Sequence, residues 1–434
     1  MKIKFLALSI LLLILFSFPA LANEEFIELL KSLPQVEQVE QIAGGQFPEK
    51  YILQFRQMVN PDDPDAGTFL QRVIVGHLHV DSLVVLHTHG YSAANHRKRI
   101  TVRDELAELL HANDIFVEHR YFGTSCPQDT NWDYLTTAYA AYDMHQIVAS
   151  LKNIYTGKWI STGGSKDGIT STLYSMYYPE DVDVAVPYVA PFCYGHNDDR
   201  IIPFLKTVGS AEKRKKILDF QIQALKRRKV LQPMVEHYAD SMNMRFIVPF
   251  ELIYDYCILD YDFGIWMRGI SEDSIPKKNA NNKTLYNHII RYANPDMCDR
   301  NNMPHQSYYV QAAKELGYYA YDYEPLRKYL SNTTLDPHNQ DFMKLIYLPE
   351  GNWDFSYSEA TYNDVMRFLK NTDCKLMFIY GETDTWTAFA IDDENIRQNI
   401  KKYVLPDGCH YSKIKEFPDS VQTEIMRTLR EWLK

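Results

Sequence analysis

The segment Gly163-Gly164-Ser165-Lys166-Asp167-Gly168 is the feature that most constrains how this chain folds. A strand-like run at residues 157–162 precedes it, and a helix-like run at residues 169–178 follows it. Small residues permit a sharp strand-to-helix turn, which exposes a serine hydroxyl beside backbone N–H groups. The pattern Gly-x-Ser-x-Gly is met at its first glycine, whereas Asp167 occupies its last position. The segment therefore predicts a nucleophilic Ser165, with a plain glycine-rich turn as the alternative.

Two further polar residues follow strand-like runs near the end of the chain. Asp384 comes after the apolar run at residues 375–380, and His410 comes after the short run at residues 402–405. Taken singly, each is better explained as a turn carboxylate or a surface histidine. Together with Ser165 they occur in the order nucleophile, acid, histidine, which is the order in α/β-hydrolases. We therefore predict an α/β protein of the α/β-hydrolase fold, with these three residues as its catalytic triad.

An oxyanion hole needs two N–H donors, one of them on the residue after the nucleophile, here Lys166. The second donor normally lies in the loop after an early strand of the sheet. The run at residues 83–88 predicts such a strand, and Gly90 after it would allow a close backbone approach. We therefore expect the backbone N–H groups of Lys166 and Tyr91 to form the oxyanion hole.

Four stretches of the chain carry a more specific resemblance. They are residues 117–125, 143–145, 158–166 and 188–192. They resemble the family of secreted bacterial serine peptidases whose known members are tripeptidyl aminopeptidases. More distantly, they resemble the lysosomal prolyl-carboxypeptidase and dipeptidyl-peptidase family of the same clan. The strongest similarity covers residues 83–200 and 374–412, and the family's triad falls on Ser165, Asp384 and His410.

The resemblance implies an exopeptidase that releases short peptides, tripeptides foremost, from a free N-terminus through an acyl-enzyme. A dipeptidyl or proline-specific peptidase of the same clan, a secreted esterase or lipase, and a non-enzymatic binding protein are the alternatives. The family pattern has glycine where this chain has Asp167. That glycine normally permits close helix–strand packing, so the substitution predicts an altered turn.

The N-terminus predicts export. Residues 1–22 combine a basic start, an apolar core and the small-residue signal Ala20-Leu21-Ala22 of a secretory signal peptide. The apolar run is shorter than the ~20 residues that a membrane span needs. We therefore expect a periplasmic or extracellular enzyme that begins at Asn23, without stable membrane association.

The charge of the chain argues against some partners. Removal of residues 1–22 takes away Lys2 and Lys4 and no acidic residue, so the net charge moves from −10 to −12. An acidic chain lacks the basic patches that nucleic acids and anionic membranes require. We therefore expect peptide substrates and no nucleic-acid partner, and the sequence does not determine the oligomeric state.

The sequence gives little indication of a metal site and does not determine any disulfide pairing. His87 and His89 are two residues apart without a nearby carboxylate cluster, whereas zinc needs three or four converging ligands. We therefore expect neither a metal nor a cofactor. An oxidising compartment permits disulfides, but their pairing is left open by the spacing of the cysteines, which are Cys126, Cys193, Cys257, Cys298, Cys374 and Cys409.

The long segment between Ser165 and Asp384 predicts an insertion, because the sheet itself needs few elements there. After a strand-like run at residues 181–192, the pattern turns helical and aromatic. We expect residues 23–195 and 371–434 to form the two parts of the hydrolase core. Residues 196–370 would then form a mainly helical cap, inserted between the strand after the nucleophile helix and the strand bearing the acid.

An aminopeptidase must also bind the ammonium group of its substrate. Glu118 follows a predicted strand, and Asp198 and Asp199 follow the next candidate strand end, so these acids are the candidates from sequence. The alternative for each is a structural salt bridge with Arg120 or Arg200.

Overall fold

The computed structural model describes residues 24–93, 103–339 and 341–434 of the chain. The predicted signal peptide at residues 1–22 lies outside the described residues. A sheet of nine strands, in the order β1-β2-β3-β5-β4-β6-β7-β8-β9, forms the centre of the fold. The strands are β1 (Val36–Ile42), β2 (Glu49–Met58), β3 (Thr68–His77), β4 (Val84–Thr88), β5 (Asn113–Val117), β6 (Trp159–Gly164), β7 (Val184–Tyr188), β8 (Leu376–Gly381) and β9 (Ile400–Leu405).

The sheet is antiparallel at one edge and parallel over the rest. β1, β2 and β3 pair antiparallel, and β3 pairs antiparallel with β5. From β5 to β9 every neighbouring pair is parallel. The parallel strands are continuous apolar runs because helices cover both faces of this part of the sheet. This topology is that of the α/β-hydrolase fold, which confirms the predicted fold class.

Helices connect and cover the strands. The core helices are α1 (residues 24–31), α2 (Glu105–Leu110), α3 (Thr137–Leu151) and α4 (Lys166–Tyr177). Along β4, Val84 and Leu86 pack in the cluster that contains α3, whereas Val85 packs in the cluster that contains α2. Alternate residues of a strand point to opposite faces, so one short strand contributes to both cores.

A helical layer follows β7. Its helices are α5 (Ile201–Thr207), α6 (Ala211–Lys226), α7 (Arg228–Ser241), α8 (Phe250–Leu259), α9 (Tyr261–Met267), α10 (Asn282–Tyr292), α11 (Gln306–Gln311) and α12 (Asn332–Leu335). They enclose an aromatic cluster of their own, distinct from the clusters of the sheet. This layer is referred to below as the cap.

The helical segment that begins with α11 ends at Leu316, because Gly317 has φ 73° and the Tyr318 N–H donates to the carbonyl of Gly195. The expected boundary of the cap differs from the structure. Helix α13 (Ala360–Asn371) packs Val365 and Leu369 with residues of α4 and β8. The expected cap boundary at residue 370 therefore falls inside a helix that packs on the core, and helix α14 (Asp419–Trp432) completes the opposite face.

Within the described ranges, the helices fall short of the length and apolar character that crossing a bilayer requires.

Candidate active site

Ser165 lies at the turn between β6 and α4. Its backbone has φ 61° and ψ −125°, a conformation that is strained for a residue with a side chain. The Ser165 N–H donates to the carbonyl of Tyr188 on the neighbouring strand β7, at 2.9 Å. The turn is therefore held by the sheet, and it has the strained geometry that places a nucleophile at the head of a helix.

Glycine keeps this turn compact. A Cβ on Gly168 would lie 2.7 Å from the Tyr188 carbonyl oxygen, and one on Gly163 would lie 2.4 Å from the Cβ of Asp167. Close helix–strand contact thus depends on Gly163 and Gly168. The altered turn expected from Asp167 is not seen, because the side chain of Asp167 projects towards another loop.

Asp167 connects the turn to the loop after β4. Its Oδ1 accepts the N–H of Gly90 at 2.6 Å, and its Oδ2 lies 2.6 Å from Nδ1 of His89. A Cβ on Gly90 would come within 2.8 Å of Oδ1 of Asp167, so the approach requires glycine. Asp167 therefore fixes the loop that carries the second expected oxyanion donor.

Lys166 also binds the loop after β4, through the carbonyl of Gly90. The side chain is 2% exposed, and its Nζ donates to the carbonyl of Gly90 at 2.7 Å. Burial lowers the pKa of Lys166 to about 7, although the carboxylates of Asp167 and Glu315 oppose the shift. The C=O and N–H of a trans peptide point in opposite directions. Lys166 therefore fixes the direction of the Tyr91 N–H through the carbonyl of Gly90.

Lys166 also opens α4, whose first N–H groups have no partner within the helix. The first backbone bond of the helix runs from Ile169 N–H to the Ser165 carbonyl. The N–H of Lys166 is thus available at the positive end of a helix, where negative charge is stabilised.

The acid and the histidine lie in loops after β8 and β9. Nδ1 of His410 lies 2.8 Å from Oδ2 of Asp384, and the Asp384 carboxylate is buried. The other oxygen of Asp384 accepts the N–H of Trp386 at 3.1 Å, which holds the carboxylate in place. A buried carboxylate on Nδ1 leaves Nε2 of His410 for proton transfer.

Ser165 and His410 line one cavity of about 300 Å³ together with Tyr91. Trp386 of the core and residues of the cap form the rest of its wall. The cap residues include Tyr256, Asp260, Phe263, Arg268, Arg291, His305, Tyr309, Tyr319 and Tyr347. The cavity is therefore enclosed by reactive groups of the core on one side and by an aromatic, charged surface of the cap on the other.

Helix α9 is hydrogen-bonded to the loops that carry Asp384 and His410. The backbone N–H of His410 donates to the carbonyl of Met267 at 2.9 Å, and the Thr385 hydroxyl donates to the carbonyl of Phe263 at 3.3 Å. The ring of Phe263 contacts Trp386 edge-on at 5.0 Å between centroids. The position of this cap helix is thus coupled to the positions of the acid and the histidine.

The three acids expected to bind the substrate amine lie away from this cavity. Glu118 is buried and accepts hydrogen bonds from Ala93 N–H, Thr124 N–H and the Ser125 hydroxyl, with Arg72 3.4 Å away. Its ion partner is Arg72, whereas the expected alternative partner Arg120 binds Asp143.

The two aspartates after β7 also have local partners. Asp198 is buried and pairs with Arg200 at 2.6 Å, and Asp199 is exposed and accepts the hydroxyl of Tyr194. Neither residue is among those that line the cavity.

The acid that does line the cavity, Asp260, was missed from the sequence. It lies in a helical pattern that predicted only packing, and no local motif marks it. His305 was missed for the same reason; its ring contacts Tyr91 at 5.2 Å between centroids, and its buried Nδ1 has no protein hydrogen-bond partner. Only the packing of the cap against the core reveals both residues.

All six cysteines are free thiols in the structure. Cys257 and Cys298 are buried in the cap, and the Cys257 thiol donates to the carbonyl of Asn294 at 3.5 Å. Among the described residues, no group of three or more His, Cys, Asp or Glu side chains is arranged to hold a metal.

The sheet topology and the serine at a strand-to-helix turn define the class as an α/β-hydrolase with a candidate serine nucleophile. The chain belongs to the PS-10 peptidase S37 family, whose model matches residues 25–409. It is thus a serine peptidase, and the family resemblance found in the sequence is confirmed.

A curated relative, the prolyl tri/tetrapeptidyl aminopeptidase of Streptomyces mobaraensis, is 26% identical over 396 residues, covering 88% of this chain and 79% of the relative. Among solved structures, proline iminopeptidase of Mycobacterium smegmatis matches with a TM-score of 0.35 and 12% identity, covering 91% of this chain and 99% of that one. Epoxide hydrolase A of Mycobacterium thermoresistibile matches with a TM-score of 0.37 and 13% identity, covering 87% and 98%. At these TM-scores the fold assignment rests on the topology of the sheet.

Proposed function

We propose that this protein is an exported serine exopeptidase that releases short peptides, tripeptides foremost, from the free N-terminus of its substrates. The observation that carries the proposal is the shared cavity of Ser165 and His410, with Asp384 bonded to His410 and the cap over one side. Family membership supports peptide substrates, and the relative's name supports release of tri- or tetrapeptides.

The chemistry is acyl transfer. The Oγ of Ser165 attacks the scissile carbonyl carbon while Nε2 of His410 accepts its proton, and Asp384 stabilises the resulting imidazolium. His410 returns the proton to the leaving amine as the C–N bond breaks, which leaves an acyl ester on Ser165. Water, deprotonated by His410, then hydrolyses the ester and frees the peptide and the serine.

The negative charge on the carbonyl oxygen is stabilised by the N–H groups of Lys166 and Tyr91. One such donor typically contributes about 3 kcal/mol to lowering the barrier. The contacts of Asp167 and Lys166 with Gly90 orient this loop before the substrate arrives. A preoriented donor costs no reorganisation during the reaction.

The cap supports an exopeptidase over an endopeptidase. A cavity of about 300 Å³ is at the small end of the ~300–1,000 Å³ typical of ligand sites. Its aromatic wall suits a prolyl ring, in line with the prolyl specificity in the relative's name. The signal-like residues 1–22 support export to the periplasm or the extracellular space.

A panel of chromogenic substrates tests this proposal. Free-amine dipeptidyl, tripeptidyl and tetrapeptidyl anilides ending in proline or alanine are compared with their N-acetylated forms and with a short-chain ester. We expect the free tripeptidyl or tetrapeptidyl anilides to be cleaved fastest. A serine-directed fluorophosphonate should label the peptide that contains Ser165.

Two outcomes contradict the proposal. Equal rates for free and acetylated peptides indicate an endopeptidase. Turnover of the ester alone indicates an esterase or lipase on the same scaffold. Export is tested separately by fractionating cells that express the full chain and sequencing the N-terminus of the mature protein, which we expect to begin at Asn23.

A further inference from the structure

One face of a nearly continuous helix forms part of the cap wall of the cavity. Asp260 has helical dihedral angles, and its N–H and C=O bond to Tyr256 and Gly264, so α8 continues into α9. The cavity-lining positions on this helix are 256, 257, 260, 263, 264, 267 and 268. Their spacing of three and four places them on one face. The wall is therefore a rigid element and not a flexible loop.

Among the described residues that line this cavity, Asp260 is the one that carries a carboxylate. Its Oδ1 accepts the Tyr319 hydroxyl at 2.6 Å, and the ring of Tyr319 stacks on Phe263 at 3.8 Å between centroids. A carboxylate has acceptor positions beyond the one that a single hydroxyl occupies. The side chain is thus oriented by the cap while keeping capacity for a further donor.

The helix also holds Asp260 at a fixed distance from the loop that carries His410. The carbonyl of Met267 at the end of α9 accepts the backbone N–H of His410. Seven residues at a rise of ~1.5 Å place Asp260 roughly 10 Å from that contact along the helix axis. Three extended residues span about 10 Å, at ~3.3–3.6 Å per residue. The rigid helix therefore holds Asp260 at a fixed distance from the His410 backbone, on the scale of a three-residue peptide.

We propose that Asp260 binds the α-ammonium group of the substrate and so sets both the free N-terminus requirement and the length of the released peptide. This inference rests on the proposed exopeptidase function and names the residue that gives it polarity. An ammonium donates to the oxygen atoms of Asp260 in a charge-assisted hydrogen bond. Acetylation removes that charge and adds bulk at the end of the cavity.

The surroundings of Asp260 favour a cationic ligand. Burial raises the pKa of Asp260 to about 6, although the Tyr319 hydroxyl and Arg268 oppose the shift. A substrate ammonium would offset the cost of ionisation. Asp260 also interacts electrostatically with titratable groups on α8, α9, α11 and the segment that follows α11. These groups are Tyr256, Cys257, Asp262, Tyr309, Tyr318 and Tyr321.

The first test compares two isosteric variants on the same helix. Asp260→Asn removes the carboxylate at the cavity, whereas Asp262→Asn removes a half-buried carboxylate that lines a different cavity together with Arg214 and Trp266. The readout is kcat/KM for free tripeptidyl anilides divided by that for their acetylated forms. We expect Asp260→Asn to lower this ratio by about 10- to 100-fold, as for loss of a charge-assisted hydrogen bond. We expect Asp262→Asn to retain the wild-type ratio.

The second test uses the pH dependence of the same ratio in the wild-type enzyme, because taking a ratio cancels titration of the catalytic groups. Binding requires Asp260 ionised and the substrate amine protonated. The ratio should rise as pH increases through about 6. It should fall as the substrate amine loses its proton near pH ~8. In Asp260→Asn the rise through pH 6 should disappear.

The third test is Asp260→Glu, which keeps the charge and extends the side chain by one methylene. We expect it to retain the preference for a free amine while shifting the preferred length of the released peptide. This variant and the wild-type pH profile keep the inference testable if Asp260→Asn fails to fold.

The outcomes separate this inference from the proposed function. If the wild type prefers free amines and Asp260→Asn keeps that preference, the inference is wrong and the exopeptidase proposal stands. If the wild type ignores acetylation, the exopeptidase proposal itself fails. A preference for peptides with a free C-terminal carboxylate over their amides overturns both, and it would assign the cavity arginines Arg268 and Arg291 to recognition.

Discussion

The core and the cap differ in how they build their interiors. Between the sheet and its helices, the core is mainly aliphatic, as in the cluster of Val85, Ile160 and Ile379. The cap instead packs tyrosines, phenylalanines and tryptophan against one another. A buried tyrosine hydroxyl needs a hydrogen-bond partner, and in the cap these partners include Asp260 for Tyr319 and Tyr347 for Tyr256. The cap therefore presents polar side chains at a defined place, which an aliphatic core does not.

The core and the cap also contribute different kinds of groups to the site. The core positions reactive groups through backbone features: the strained turn at Ser165, the Gly90 loop and the loops after β8 and β9. The cap contributes side chains on a rigid helix that is bonded to those loops. This difference suggests that substitutions in the core change the rate of the chemical step, whereas substitutions in the cap change which substrate is accepted.

Each region contains a buried aspartate–arginine pair. In the core, Arg120 binds Asp143 through two hydrogen bonds of 2.7 and 2.8 Å, and both side chains are fully buried. In the cap, Asp255 binds Arg228 and accepts the N–H of Ser331 at 2.9 Å. The Arg120 guanidinium also donates to backbone carbonyls of neighbouring segments, so it joins β2, the loop before α3 and α3 itself.

The largest expected effect is on the core side of the cavity. Ser165→Ala should lower kcat by more than about a hundredfold with every substrate class, because only the oxyanion hole and binding remain. The fold should persist, since the turn is held by backbone bonds and glycines. Steady-state kinetics and thermal unfolding measure the two effects, and a smaller loss of activity would remove Ser165 as the nucleophile.

The buried pairs test whether core and cap unfold together. Asp143→Ala leaves the Arg120 charge buried without its partner and should lower the free energy of unfolding by about 3–5 kcal/mol. Asp255→Ala should have a comparable cost if the cap unfolds with the core. Chemical denaturation followed by circular dichroism measures both values.

The surface pair of Asp364 and Arg367 supplies the control for this comparison. Asp364 is 43% exposed, so Asp364→Ala should change the free energy of unfolding by less than about 0.5 kcal/mol. A separate low-stability transition in Asp255→Ala alone would indicate that the cap unfolds independently.

Asp167 tests whether the oxyanion loop acts on the chemical step. Asp167→Ala removes the acceptor for the Gly90 N–H and should lower kcat by roughly 10- to 100-fold, corresponding to a charge-assisted hydrogen bond of ~1.5–3 kcal/mol. KM should change little, because the loop contributes to the oxyanion site. Asp167→Asn keeps an oxygen for Gly90 and should retain more activity. An effect of Asp167→Ala on KM alone would place the loop in substrate binding.

Lys166 is expected to give a smaller effect than the buried aspartate–arginine pairs, and it appears as a dependence of the free energy of unfolding on pH. Below about pH 7 both folded and unfolded states carry the ammonium, and the folded state bears the full cost of burying it. Between about pH 7 and the ordinary lysine pKa of 10.5 the unfolded state binds more protons, so the free energy of unfolding rises with pH. From pH 7 to pH 9 the wild type should gain about 2 kcal/mol relative to Lys166→Met. Parallel curves for the two proteins would contradict the low pKa of Lys166.

Local sequence patterns predicted the parallel part of the sheet well. Strands β4, β6 and β8 and helix α4 lie within a few residues of the expected runs. Continuous apolar runs and amphipathic spacing depend on nearby residues alone, so they can be recognised without a fold. The antiparallel strands β1 to β3 were not predicted from the sequence, because polar residues such as Gln57 and Gln71 occupy buried positions and interrupt their hydrophobic alternation.

The sequence by itself determined the chemistry available to this protein: a serine at a turn, an acid and a histidine in the order of a known fold, and an aromatic insertion between them. The turn at Ser165 and the loops of Asp384 and His410 follow from short-range patterns, because each ends a strand of the sheet. Only the tertiary structure shows that Asp260 and His305 line the same cavity. It also shows that Glu118 pairs with Arg72 and that Asp167 accepts the N–H of Gly90. These contacts join residues far apart in the chain, and their geometry depends on how the cap packs on the sheet, which no local pattern encodes.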